Sequence, residues 1–326
     1  MAKNNEHQAK PPAVWLLTDN KPGHRNQLKG LGNRLRVLTG ASLHWLDASD
    51  YRIPLWRALV GKAPDLNSDL PSPNLIIAAG SGTHRLLLSL RRHGKAKTLV
   101  LMKPGFPSGW VDGIIAPAHD GLAGDRIFVT QGALNAITPL ARVTEKPEAL
   151  LLVGGPSPHF EWDDDALLGQ ISVLFGQYPN WRWTISSSRR TPERLTTRLS
   201  ELEGPKVEVI DPRTTHENWL SHQLAASRAV WVTPDSLSMV CEAITSGVPT
   251  GIFELEAHQN SRVALGVSEL NERGRLSHWS DHAAVMANDR TQKPPLWEAD
   301  RAARWVIDQL LPSFGSTERN NERNRK

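Results

Sequence analysis

Long apolar runs are missing from this 326-residue chain. Nothing in it approaches the roughly 20 consecutive apolar residues of a membrane-spanning helix. Its first residues, MAKNNEHQAKPP, hold no apolar core of the secretory kind, so no signal peptide is expected. Cysteine occurs once, at Cys241, which excludes an intrachain disulfide and a multi-cysteine zinc site and fits a reducing cytosol. The twelve histidines include no HExxH and no close His/Asp pair, so no bound metal and no other cofactor is expected. No GxGxxG follows the first strand-like run and no GKS or GKT follows the later glycines, which argues against NAD, FAD and a Walker loop. Aromatic and basic residues are not interleaved as in an RNA-recognition sheet, and nucleic acid is not an expected partner.

The charge present is slightly basic, 38 Lys and Arg against 34 Asp and Glu, with a pI near 9.3. That balance suits an anionic partner such as a nucleotide, a phosphorylated substrate or an acidic membrane surface, without choosing among them. Twelve tryptophans read mainly as core and cleft packing. Both ends, 1–12 and 314–326, read as disordered, the second as a basic tail.

Between them, short apolar runs alternate with helix-length amphipathic segments. AVWLLT precedes a helix expected from about Asn26 to Leu38; ASLHWLDA, NLIIAAG, KTLVLMK, GIIAPAH and RIFVTQG follow as strands. The pattern restarts at ALLLVGG and continues through WRWTIS, KVEVID, AVWVTP and PTGIFEL, with helices between. A last helix is expected from about Pro295 to Leu311. Such alternation implies parallel sheets covered by helices, so the fold class is α/β, with two Rossmann-like domains (13–145 and 146–313) facing a central cleft.

In such sheets ligands bind beyond the carboxyl ends of strands, which makes the residues after each apolar run informative. After the first strand, DNKPGHRNQ gathers Asp19, Lys21, Gly23, His24, Asn26 and Gln27; either this is half of a site or it is a helix start with solvated charges. AAGSGTHR supplies Gly80, Ser81, Gly82 and Thr83 as a nest-like helix entry, and Lys103 follows a later strand. In the second half, LLVGGPSPHF offers Gly154, Gly155 and Ser157 for close backbone approach. SSSRRTP offers Ser188 with Arg189 and Arg190, which hold a phosphate or are simply solvated. VTPDSLSMVCEA places Pro234, Asp235, Ser236, Ser238 and Met239 at a helix start, with Glu242 one turn beyond Ser238. That start is an anion site, or Ser236 or Asp235 merely caps it. In EWDDDA, the acids Asp163 to Asp165 precede a helix, and its dipole explains them better than a metal does.

Taken together, WLLTDNKPGHRNQLKGL, NLIIAAGSGTHR, LLVGGPSPHFEWDDD, SSSRRTPE and VTPDSLSMVCEAITSGVP resemble the successive motifs of the mitochondrial fission (elongated mitochondria) family. The likeness covers roughly Ala13 to Phe253. Members occur in bacteria and plants and are commonly described as GT-B type glycosyltransferases. The layout is more distantly similar to the N-acetylglucosaminyltransferases of peptidoglycan synthesis, although Pro158 and His159 stand where those have small residues. The resemblance implies a metal-independent glycosyltransferase with a nucleotide-sugar as co-substrate. Asp19 or His24 would be the base, and Lys21, Gly23, Asn26, Gln27, Gly80, Ser81, Gly82, Thr83 and Lys103 would lie on the acceptor side. Gly154, Gly155, Ser157, Ser188, Arg189, Pro234, Asp235, Ser236, Ser238, Met239 and Glu242 would bind the donor. A glycolipid or other glycan acceptor of lipopolysaccharide type implies a cytoplasmic protein in peripheral contact with the inner membrane. Two other readings stand beside it: a non-catalytic adaptor on the same fold, and a nucleotide-sugar epimerase.

Overall fold

Eleven strand segments form two sheets in the computed structural model, which describes residues 10–287 and 293–314. The ends read as disordered therefore lie outside the described residues, apart from residues 10–12 and 314. The first compact unit holds β1 (Ala13–Thr18), α1 (Pro22–Thr39), β2 (Ser42–Asp47), α2 (Leu55–Val60), β3 (Leu75–Ala79), α3 (His84–Leu90), β4 (Lys97–Leu101), β5 (Gly113–Pro117) and β6 (Ile127–Thr130). Its sheet is parallel throughout, in the order β2-β1-β3-β4-β5-β6. β1, β3 and β4 are apolar and buried almost end to end, as strands covered by helices on both faces must be. On one face Leu28, Leu31 and Leu35 of α1, at helical spacing, close the core over Leu16, Leu75 and Ile77.

The second unit holds β7 (Glu148–Leu152), α4 (Asp164–Gln177), β8 (Arg182–Ser186), α5 (Glu193–Ser200), β9 (Val207–Ile210), α6 (Trp219–Ala226), β10 (Ala229–Val232), α7 (Leu237–Ser246), β11 (Thr250–Ile252), α8 (Arg262–Glu272) and α9 (His282–Ala287). Its strands, again parallel, run in the order β11-β10-β7-β8-β9. Trp183, Trp231 and Phe253 anchor one side of this sheet, and Val240, Ile244 and Leu270 the other.

Three expectations need correcting. The last helix, α10 (Glu298–Leu310), belongs to the first unit, not to a second domain running to residue 313. Ala302, Ala303, Val306 and Leu310 fill the core against α1, and Arg34 pairs with Asp300. The chain passes between units at residues 131–137, earlier than the expected boundary at 145. Finally, α1 starts at Pro22 rather than near Asn26. Proline at a first helical position has its φ already set and loses no hydrogen bond, so the polar stretch after β1 is largely the first turns of a helix.

Candidate functional site

Each sheet has one place where consecutive strands leave in opposite directions, and there the loops part to leave a crevice. In the first unit it lies between β1 and β3, which pair from Val14↔Leu75 to Leu17↔Ala78. Asp19 and Gly80 therefore follow neighbouring strands at the same end of the sheet. His24, on the first turn of α1, reaches back to Asp19, with Nδ1 at 2.9 Å from Oδ1 and 3.1 Å from Oδ2. The carboxylate, 9% exposed, also accepts from the Lys21 backbone N–H at 3.3 Å, and the Lys21 ammonium stands 4.0 Å away. An ionised Asp19 puts the imidazole proton on Nδ1, so Nε2 is left as an acceptor. Among the described residues Nε2 has no hydrogen-bond partner.

Gly80 and Gly82 make room for this pair. A β-carbon on Gly80 would lie 2.2 Å from His24 Nδ1 and 2.5 Å from Asp19 Oδ2, and one on Gly82 would lie 2.9 Å from the Asp19 β-carbon. Gly80 also has φ +87°. Thr83 is buried and donates to the Gly80 carbonyl at 2.7 Å, fixing the loop, while Ser81 is exposed. Gly23 differs: a β-carbon there meets nothing within 4 Å, so no protein group demands glycine. Asn26 accepts from the Ala136 N–H at 3.2 Å, and Gln27 donates to the Met102 sulfur at 3.7 Å. Both serve packing as placed. Lys103 is exposed, and its backbone N–H donates to Asp120.

The sequence reading missed His84, the first residue of α3. Its ring meets Phe106 edge-on at 5.0 Å. Burial pulls its pKa below the ordinary value, and the negative charge of nearby Asp19 opposes that only in part. The signal was present, since His84 directly follows the Gly80–Thr83 loop.

In the second unit the parting of strands lies between β7 and β10, paired from Ala149↔Ala229 to Leu152↔Val232. Gly154 and Gly155 follow one strand, Pro234 and Asp235 the other. The Asp235 side chain is wholly buried. It accepts from the Thr233 hydroxyl at 2.6 Å, from the Gly155 N–H at 3.3 Å and from Arg190. Arg190 also donates to the carbonyls of Gly155 and Pro156. Added β-carbons at Gly154 and Gly155 would strike Asp235 and the Arg190 backbone, 2.2 and 2.1 Å away. Asp235 and Arg190 therefore build the loop from inside.

Ser188 is likewise engaged in its own turn, accepting from the Arg190 N–H and lying 3.2 Å from the Thr191 hydroxyl. Ser157 accepts from the His159 N–H. Pro234 is buried, and Met239, on α7 itself, packs against the core. Ser236 precedes the first residue of α7, yet its side chain makes no capping bond. Neither it nor Asp235 acts as the expected cap, and Ser236 and Ser238 are half-buried residues at a helix start that carries no acid in its first turn. Arg189 is exposed and has no side-chain partner among the described residues. Glu242 lies one turn along α7 and is partnered. Of the acids in EWDDDA, Asp163 caps α4 through the N–H groups of Asp165 and Ala166, Asp164 accepts from Trp162, and Asp165 pairs with Arg198.

Comparison with known proteins gives a consistent answer. The family model described as Mitochondrial fission ELM1 matches residues 22–310. The uncharacterised protein RP120 of Rickettsia prowazekii (strain Madrid E) is 25% identical over 349 residues, spanning 90% of this chain and 97% of its own. Among solved structures, a Listeria monocytogenes protein provisionally assigned as a UDP-N-acetylglucosamine 2-epimerase aligns with TM-score 0.63. Its identity is 12%, over 93% of this chain and 98% of that one. The UDP-GlcNAc 2-epimerase of Neisseria meningitidis, bound to UDP-GlcNAc, aligns with TM-score 0.52 and 11% identity, over 92% and 99%. At such identities the likeness is one of fold, the GT-B-like class with two Rossmann-like units.

Proposed function

The chain belongs to the mitochondrial fission ELM1 family, and from that premise we propose that it is a metal-independent glycosyltransferase using a nucleotide-activated sugar. The observation that carries this reading is the Asp19–His24 pair packed against Gly80 and Gly82. Glycosyl transfer needs a base for the acceptor hydroxyl, and an imidazole held through Nδ1 by a carboxylate offers Nε2 for that proton. Asp19 then orients the ring and stabilises the imidazolium that forms, so His24 is the base and Asp19 its positioning partner.

The donor role falls to the second unit. A diphosphate suits the start of α7, where backbone N–H groups and the helix dipole favour negative charge, with the Ser236 and Ser238 hydroxyls and Arg189 as further donors. Glu242, one turn on, is assigned to the ribose in this reading. The inward ties of Asp235 and Arg190 keep the Gly154–Gly155 backbone where a ligand can approach it. Metal independence is supported by Asp163 and Asp165, whose carboxylates hold the start of α4 and Arg198. The acceptor is a membrane-linked glycan of lipopolysaccharide type, met on the cytoplasmic face of the inner membrane.

UDP-GlcNAc is the first donor to try, because a structure of this fold binds it. Calorimetric titration with UDP-, CMP-, GDP- and ADP-sugars in the presence of EDTA tests the reading. Saturable binding of one class is expected, weakened by Ser236→Ala with Ser238→Ala. Binding of none overturns it, and conversion of the free donor sugar to an epimer without acceptor, followed by NMR, replaces it with the epimerase reading.

A further inference from the structure

One face of the first unit is apolar and cationic at once. α2 leaves Leu55, Trp56, Leu59 and Val60 exposed by 59, 52, 48 and 49%, so most of a six-residue helix turns apolar surface to water. Contiguous patches of this kind mark interaction surfaces. Cations surround it. The Arg57 guanidinium lies 5.6 Å and the Lys62 ammonium 5.7 Å from the Trp56 ring centre. Arg91 donates to the Leu59 carbonyl and stands 5.0 Å over Trp110, which brings that exposed indole onto the same face. Arg92 donates to the Val60 carbonyl at 3.1 Å. Residues 51–63, which carry α2, hold Arg52, Arg57 and Lys62 and no Asp or Glu.

We propose that this face docks on an anionic lipid surface, with Leu55, Trp56, Leu59 and Val60 in the headgroup–acyl boundary and Arg57, Lys62 and Arg92 against lipid phosphates. Indoles at a polar boundary beside long basic side chains are what such an interface favours. A second copy of the chain is a poor occupant, because a two-fold contact would set this cationic face against itself. The face is also continuous with the Asp19 site. Trp110 stacks on Phe106 at 6.5 Å, Phe106 meets His84, and a hollow of about 430 Å³ runs from Pro54, next to α2, to Gly82 and Arg85. A lipid-linked acceptor held at the face would have its head group beside that hollow. The inference rests on the proposed glycosyltransferase reading for its purpose, though its test does not.

Sedimentation of the full-length protein with phosphatidylcholine vesicles, with and without phosphatidylglycerol, provides that test. Binding is expected only to the anionic vesicles and should weaken as salt is raised. Leu55→Glu with Leu59→Glu, and separately Arg57→Glu with Lys62→Glu, should each lower partitioning about tenfold or more. Trp56→Ser gives a milder third variant should either pair misfold, and circular dichroism reports on folding. Donor titration should be unchanged in every folded variant, so failure here and failure of the transferase reading are separable. Absence of binding to anionic vesicles overturns the proposal, as does equal binding by folded variants. A self-association that the same substitutions abolish, seen by light scattering, also overturns it.

Discussion

Gly80 lies against the His24 ring so closely that a β-carbon on it would stand 2.2 Å from Nδ1. The space that lets His24 fold back onto Asp19 is thus created by a residue of the loop that follows β3, more than fifty positions along the chain. Gly80→Ala must displace the imidazole, the carboxylate or the loop, and it must also hold φ +87° with a side chain. It should destabilise the protein by about 1–3 kcal/mol, read as a lower Tm, and break the Nδ1 bond. Gly23→Ala is the control. No atom lies within 4 Å of its β-carbon, so Tm should hold or rise slightly, since alanine favours a helix over glycine. Any loss of transfer in Gly23→Ala would then report ligand approach.

Substitutions at the pair itself separate base from positioning partner. His24→Asn should lower kcat by about 10²–10⁴ while donor affinity, measured by titration, stays near that of the wild type. Asp19→Asn keeps the shape but allows the amide to donate to Nδ1, which would leave the proton on Nε2. Its loss should be comparable and should persist across the pH range. If His24→Asn retains full turnover while Asp19→Asn abolishes it, the base is Asp19.

Much of the architecture was legible because parallel strands buried on both faces read as uninterrupted apolar runs, and every strand so read is present, from AVWLLT to PTGIFEL. α6 and α7 also fall between the strand-like runs, where helices are expected. The elements that escaped have physical reasons. α2 turns its apolar residues outward, so it carries no buried stripe, and α8 and α9 lie where the apolar spacing is irregular. α10 reads clearly as a helix, but nothing in its pattern says which core it fills. At the site, the chemistry-bearing residues were visible while their direction was not. Asp235 and Ser236 are adjacent in sequence, yet one is wholly buried and holds a loop while the other offers a hydroxyl. Only the packing of Gly154 and Arg190 against the carboxylate distinguishes them.

That inward role of Asp235 gives the third prediction. Asp235→Ala removes the acceptor for the Thr233 hydroxyl, the Gly155 N–H and Arg190 together. Buried donors left unpaired cost about 1–3 kcal/mol, so urea unfolding should show a clear loss of stability. Ser236→Ala, one residue on, breaks no capping bond and should leave the urea midpoint within experimental error. Arg190→Lys should behave more like Asp235→Ala than like Ser236→Ala. Lysine cannot span the two carbonyls and the carboxylate at once.

His84 makes the acid side of the stability profile diagnostic. Burial lowers its pKa in the folded protein below the ordinary 6.5, against the partial pull of Asp19. Between the folded value and 6.5 the unfolded chain therefore binds the proton that the folded one refuses, and stability rises with pH through that interval. Above 6.5 both states are neutral at this residue and its contribution is constant; as pH falls below 6.5, stability is lost. Asp47 and Asp112 act in a different window. Hydrogen bonds from Ser49 lower the first, and for the second the bonds from Thr98 and Lys97 outweigh burial, so both cost stability only as pH falls below about their ordinary 3.8. Thermal melts between about pH 3 and pH 8 should show a decline below 6.5 that His84→Gln removes, while the separate loss below about 3.8 remains. Gln keeps a polar group at the start of α3 without titrating. A wild-type Tm that stays flat from pH 8 to about pH 5, or an undiminished decline in His84→Gln, would show that this histidine takes up its proton freely in the folded state.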